Sequence, residues 1–231
     1  MKRIALILSG CGVYDGTEIT EAAGLLIALS QSGHQVKCFA PDRPQSDVVD
    51  HATGDKDDTR RNILAESARI ARGTIEPLEA LREAAFDAVA FPGGFGAAKN
   101  LLPFASDGQA ARLAPDVAAV ARDFIAAGKP LLALCAAPLV LGAAARDAGI
   151  LGARITFGHL AEGKDLADAI EAWGQVHVEK AVDEPCVDTV NRFVSVPAYM
   201  YGAATPAQVF SACQAGVTAL DELLGTTEPA A

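Results

Sequence analysis

The sequence predicts an α/β fold in which a mostly parallel sheet is covered by helices on both faces. Two observations carry this. As far as Gly149, short apolar runs alternate with segments of helical period, and such alternation builds parallel strands joined by crossover helices. Three segments rich in glycine or alanine then follow directly on predicted strands: Ser9-Gly10-Cys11-Gly12, Pro92-Gly93-Gly94-Phe95-Gly96 and Cys135-Ala136-Ala137-Pro138. Open α/β sheets gather their sites at the carboxyl ends of the strands, so these segments mark the expected site.

Residues 2–8 are apolar enough for a buried first strand. Residues 15–33 read as a loop and a helix, with Ile19, Ala22, Ala23, Leu26, Ile27 and Leu29 at helical spacing and Gly33 as the stop. Residues 35–40 form a second strand. The polar, turn-rich stretch 41–58 reads as a long functional loop. Residues 62–72 repeat at helical period through Ile63, Leu64, Ala68 and Ile70, and 77–85 read as a further helical piece. A strand over 87–91 closes in the glycine turn at 92–96. An amphipathic helix over 116–127 is stopped by Gly128 and Pro130. The apolar run 130–134 leads into Cys135 and a helix over 136–145. Short strands over 154–157, 175–178 and 192–196 come next, then a C-terminal helix over 206–224. Residues 1–225 are expected to form one domain and 226–231 a flexible tail.

Composition narrows the function. Of the 231 residues 51% are hydrophobic and 21% charged, enough apolar content for a full core, and the net charge is −10. No basic cluster occurs, which argues against nucleic acid or an anionic membrane as a partner. No apolar run is long enough for a membrane span. Residues 1–8 are too short for a signal h-region and read as the first strand. The five cysteines, Cys11, Cys38, Cys135, Cys186 and Cys213, are odd in number and widely spaced. Together these features lead to an expectation of reduced thiols in a cytoplasmic protein. No Cys or His spacing suggests a metal site.

Cys135 draws the chemistry. A thiol at a strand-to-helix turn lies against the positive end of the helix dipole, where unpaired N–H groups stabilise a thiolate, the nucleophilic form. Ala133, Ala136 and Ala137 are small enough for a sharp turn. A buried, inert cysteine packing as a small apolar residue is the alternative. The segment after the first strand adds Glu18 and Glu21, and the glycine turn adds uncrowded N–H groups. Nucleophile, acid/base group and oxyanion donors are thus all on offer.

The ordered motifs also resemble a known family. Leu8-Ser9-Gly10-Cys11-Gly12-Val13-Tyr14-Asp15-Gly16-Thr17-Glu18-Ile19 resembles the opening of the glyoxalase-like ElbB family, in the ThiJ/PfpI branch of the class I glutamine amidotransferase-like superfamily. The likeness continues through Phe39-Ala40-Pro41-Asp42, Asp47-Val48-Val49-Asp50-His51 and residues 59–73. It extends through residues 92–101 to Pro197-Ala198-Tyr199-Met200.

The resemblance implies a flavodoxin-like three-layer α/β/α sandwich with Cys135 as nucleophile at the elbow. It implies a glutamate facing the sulfur. Glu21 fits by its distance from Gly33, and Glu18, inside the family's opening motif, is the alternative; either also reads as a solvated carboxylate of a helix first turn. Gly94 and Ala136 would supply oxyanion N–H groups beside Gly93. Where many ThiJ/PfpI members carry His after the nucleophile, this chain has Ala136. His159 and His51 are candidates for the pocket or for ordinary loop positions. His177 reads as a strand residue and His34 as exposed.

The activity implied is a glyoxalase needing no cofactor or metal, converting a small dicarbonyl such as glyoxal to glycolate. The alternative is a redox-responsive or chaperone-like protein, not catalytic, influencing isoprenoid metabolism. A hydrolase or peptidase is a third reading. The superfamily habit implies a homodimer.

Overall fold

A computed structural model describes residues 1–225; the expected tail at 226–231 lies outside the described residues. In chain order, β1 (Arg3–Ile7) leads through α1 (Ile19–Gln31) to β2 (Gln35–Ala40). The small hairpin of β3 (Val48–Val49) and β4 (Lys56–Asp57), helix α2 (Ile63–Ile70) and β5 (Ile75–Pro77) follow. Then come β6 (Ala88–Phe91), α3 (Phe104–Asp107), α4 (Pro115–Ala126), β7 (Leu131–Leu134) and α5 (Pro138–Asp147). The remainder holds β8 (Arg154–Ile155), α6 (Leu160–Ala172), β9 (Val176–His177), β10 (Cys186–Asp188), β11 (Phe193–Val196) and α7 (Pro206–Gly225).

The main sheet has seven strands in the order β10-β11-β7-β6-β1-β2-β5. Every pairing is parallel except that of β10 with β11. The chain winds outward from β1 through β2 to β5, then returns to β6 on the other side of β1. That reversal opens a crevice above the β1–β6 boundary, where doubly wound sheets bind ligands.

Both faces of the sheet are covered, so its strands read as unbroken apolar runs. The period of two is still visible in the packing. Ile4, Leu6 and Leu8 join one core with Leu25 and Leu29 of α1 and Val209 and Leu220 of α7. Ala5 and Ile7 join the other, with Val117 and Phe124 of α4 and Leu139 of α5. Each fully buried Leu or Ile contributes about 1.5–3 kcal/mol. Helix starts are chemically marked. The Asn62 side chain accepts from Ala65 N at 3.0 Å ahead of α2, and α4 and α5 begin at Pro115 and Pro138.

Four expectations change. The piece at 77–85 is not a helix. Pro77 ends edge strand β5, opposite Ala40, and two single 3₁₀ turns follow, separated by extended Arg82. The loop at 41–58 carries the β3–β4 hairpin. Helix α6 was not expected, because it buries Gly163, Ala167, Ala169 and Ile170, a face with little apolar contrast. His34 is not exposed. Its side chain is 7% accessible, with Nε2 against Asp221 Oδ1 of α7 at 2.5 Å. His177 does lie in a strand, stacked on Phe157.

Helices α1 and α7 approach closely at Gly24, where an added Cβ would sit 2.7 Å from Cys213 Sγ. Gly24→Val is expected to cost about 1–3 kcal/mol, since neither helix can retreat without opening the core. Urea unfolding measures this; a variant as stable as wild type would show that the contact is slack.

Candidate active site

Three strand ends build the site. The loop after β1 is tied to the turn after β6: Glu18 N donates to Gly93 O at 2.9 Å, Phe95 N to Val13 O at 2.7 Å and Gly96 N to Gly16 O at 2.8 Å. Asn100 braces both, its Nδ2 donating to Ser9 O and Asp15 O at 2.8 Å each. Gly94 has φ +96 and backs onto Gly16 and Glu18 backbone, leaving no room for a side chain.

Cys135 follows β7 with φ +55, in the left-handed region that non-glycine residues rarely occupy. Its N–H donates to Val196 O at 3.0 Å, and Ala137 N to Leu134 O at 2.9 Å, so the sheet and the turn hold the strained residue. Strain of this kind costs about 1–3 kcal/mol and clusters at functional sites. Cys135 lines a cavity of about 400 Å³ together with Gly94, Phe95, Ala136 and Tyr199. Cys135 itself is 7% accessible.

Glu21, rather than Glu18, faces the sulfur. It lies in the first turn of α1 with no accessible surface. Its Oε2 accepts from Gly93 N at 2.8 Å and its Oε1 from Tyr199 N at 3.2 Å, and the carboxyl also hydrogen-bonds Cys135. Glu18 caps the helix instead, its Oε2 accepting from Glu21 N at 2.7 Å. Burial, reinforced by the charge of Glu18, pushes the Glu21 carboxyl up from 4.5 to about 8. The Gly93, Tyr199 and Cys135 contacts each favour the carboxylate, but burial and the Glu18 charge outweigh them and keep Glu21 protonated at neutral pH.

The thiol departs from the sequence expectation. Gly94 and Ala136 N–H groups do face the sulfur and favour a thiolate, but burial and then Glu21 outweigh them, and the Cys135 pKa is raised well above its ordinary value. The dipole argument omitted the buried carboxyl. At neutral pH the pair carries its protons, and it loses the first as pH rises through about 8.

The two candidate histidines stand outside the residues lining the cavity. His51 sits under the first loop. Its Nδ1 is 3.0 Å from Val49 O and its Nε2 accepts from Tyr14 N at 3.2 Å, so it joins that loop to β3. His159 caps α6, Nδ1 accepting from Ala161 N at 3.1 Å, with its ring edge-on to Tyr201. Among the described residues, no Cys135–His pair is formed. Among the described residues, no group of three or more His, Cys, Asp or Glu is gathered as a metal site. All five cysteines are free.

Sequence reasoning missed one contributor, the Tyr199 N–H. Ala198 before it has φ +47 and is fully buried, and this strained turn aims the N–H at Glu21. Its signal was present in the Pro197-Ala198-Tyr199-Met200 segment, recognised for resemblance but not for a role.

The doubly wound sheet, with a cysteine at the elbow after β7, is the flavodoxin-like class I glutamine amidotransferase-like fold. Comparison with known proteins agrees. A human protein described as glutamine amidotransferase-like class 1 domain-containing protein 3, mitochondrial, is 48% identical over 205 residues, covering 86% of this chain and 75% of its own. The rat ES1 protein homolog, mitochondrial, is 49% identical over the same coverage. The crystal structure of an isoprenoid biosynthesis protein with an amidotransferase-like domain from Ehrlichia chaffeensis is 35% identical. It superposes with a TM-score of 0.88 over 97% of this chain and 100% of its own. The chain belongs to this family of ES1-type proteins with a class 1 glutamine amidotransferase-like domain. Drosophila melanogaster DJ-1beta, 16% identical with a TM-score of 0.51, shares the fold. No family model matches the chain. The cytoplasmic expectation is corrected. The human, rat and zebrafish relatives are all named mitochondrial, which composition and cysteine count could not reveal.

A carboxyl protonated only in the folded state makes stability fall as pH rises. The contribution is whole below 4.5 and is lost on approaching about 8. Relative to Glu21→Gln, wild type is therefore expected to lose about 3 kcal/mol between pH 4.5 and 7. Denaturant titrations at several pH values measure it, and a pH-independent difference would place Glu21 in the ordinary carboxylate range.

Proposed function

We propose that this chain is a cofactor-independent glyoxalase acting on small dicarbonyls. The observation that supports it most is the pairing of Cys135, which lines the cavity and meets the Gly94 and Ala136 N–H groups, with the buried Glu21 carboxyl behind it. Sulfur adds to one aldehyde carbon of glyoxal. The C=O electron pair goes to oxygen, which takes up the thiol proton to give a hemithioacetal. The Gly94 and Ala136 N–H groups support the developing oxyanion.

Ionised Glu21 then removes the proton on the sulfur-bearing carbon to give an enediolate, and the hydroxyl proton of that carbon passes to the neighbouring oxygen. Return of the abstracted proton from Glu21 to the neighbouring carbon leaves a glycolyl thioester. Water hydrolyses the thioester to glycolate and restores the thiol. One carbon is oxidised and its neighbour reduced, so no external oxidant or reductant is consumed. A carboxyl with pKa near the working pH suits this exchange.

Two features weigh against the rival readings. A thiol raised by burial and by Glu21 forms little thiolate, which disfavours selective oxidation of Cys135 as a redox signal. Ala136 at the elbow, with His51 and His159 outside the cavity lining, leaves no Cys–His pair for a peptidase. The description of the Ehrlichia chaffeensis relative as an isoprenoid biosynthesis protein is compatible with either the glyoxalase or the redox reading.

Wild-type protein is expected to convert glyoxal to glycolate without glutathione or added metal, and Cys135→Ala to lose at least about a thousandfold in kcat/KM. The wild-type kcat/KM is expected to rise with pH through about 8, as Glu21 ionises. Turnover indifferent to Cys135 would overturn the mechanism. A profile flat between pH 6 and 9 would remove Glu21 as the base.

A further inference from the structure

We infer that Glu162 and Asp165, exposed residues lining the Cys135 cavity, set the substrate class by turning away anions, so that the site takes uncharged or cationic carbonyl compounds bearing an apolar group. The inference rests on the glyoxalase reading for its chemistry but on the cavity alone for its selectivity.

The cavity is larger than a two-carbon dialdehyde requires. Its volume is about 400 Å³, against roughly 30 Å³ for a water molecule in the liquid, and it falls in the range that encloses whole organic ligands. Phe95, Phe104, Leu166 and Met200 provide apolar walls. An aryl or alkyl substituent on the reacting carbonyl would fill this space and displace water from those walls, a gain that glyoxal cannot make.

Charge restricts the choice further. The lining includes Glu162 and Asp165 from the first two turns of α6 and no Lys, Arg or His. Glu162 is fixed in place, its Oε2 accepting from Gly202 N at 2.8 Å. The start of α6 offers an anion little compensation, because Leu160 N is already directed to Glu179 Oε1 and Ala161 N to His159 Nδ1. The neighbouring cation Lys99 is taken by Asp47, with Nζ–O distances of 3.0 and 3.1 Å. An anionic substituent lying between Glu162 and Asp165 therefore meets two carboxylates, with the Gly94 and Ala136 N–H groups taken by the reacting oxygen and His159 Nε2 held 3.7 Å from Glu162 Oε1, whereas an ammonium group meets two acceptors.

Alkylation of Cys135 by iodoacetamide, iodoacetate and iodoacetanilide tests this, with rates read by mass spectrometry and normalised to those of a free thiol. Wild type is expected to disfavour iodoacetate over iodoacetamide by about tenfold beyond the free thiol. The E162Q/D165N variant is expected to remove most of that discrimination. Iodoacetanilide is expected to gain several-fold over iodoacetamide from the apolar walls. With the reactions run at a pH high enough for wild type to be alkylated, discrimination unchanged in the variant, or absent in wild type, would overturn the assignment. Glyoxal turnover plays no part in this readout, so loss of the glyoxalase reading and loss of the charge filter are separately visible.

Discussion

A buried carboxyl with no cation beside it among the described residues governs this site. Glu21 is enclosed in the first turn of α1, and its two oxygens accept from Gly93 N and Tyr199 N. Two neutral donors do not offset complete desolvation, so the group keeps its proton to about pH 8. The protonated form is then the resting one, and the base appears as the carboxyl ionises near pH 8. Ionising both groups would put two negative charges together out of water, so the pair is bound to titrate as a unit.

Much of the surrounding backbone is shaped by that carboxyl. Gly93 must be glycine, because a Cβ there would collide with Cys135 and Glu21. Ala198 adopts a left-handed conformation that directs the Tyr199 N–H at Oε1, and Cys135 adopts another at the elbow. These strained residues follow the ends of β11 and β7, adjacent parallel strands whose pairing overdetermines the geometry. The loop after β1 is fixed by Gly93, Phe95 and Gly96 and by Asn100. Glu18 contributes twice, capping α1 and adding a charge that helps keep Glu21 neutral.

The main features of the fold were legible because both faces of the sheet are buried. That burial produced the unbroken apolar strands, and Gly33, Gly128 and Pro130 punctuated them. Helix α6 escaped notice because its buried face is built from Gly163, Ala167 and Ala169, which carry almost no hydrophobic contrast. The stretch 77–85 looked helical because Leu78 and Leu81, both buried, follow Pro77 at helical spacing. At the site, Cys135 announced itself by its strand-to-helix context. The thiol's elevated pKa could not be read there, since it depends on a residue more than a hundred positions away. The choice between Glu18 and Glu21 likewise required the tertiary structure, where one carboxyl turns back to cap α1 and the other points inward.

Carbon-13 NMR of the side-chain carboxyl of Glu21, followed from pH 4 to 10 in the folded protein, tests the central claim most directly. The account expects a midpoint near 8 with no transition between pH 4 and 5. A midpoint between 4 and 5 would mean that Glu21 is an ordinary carboxylate at neutral pH. The retained proton, and the acid–base chemistry built on it, would then be lost.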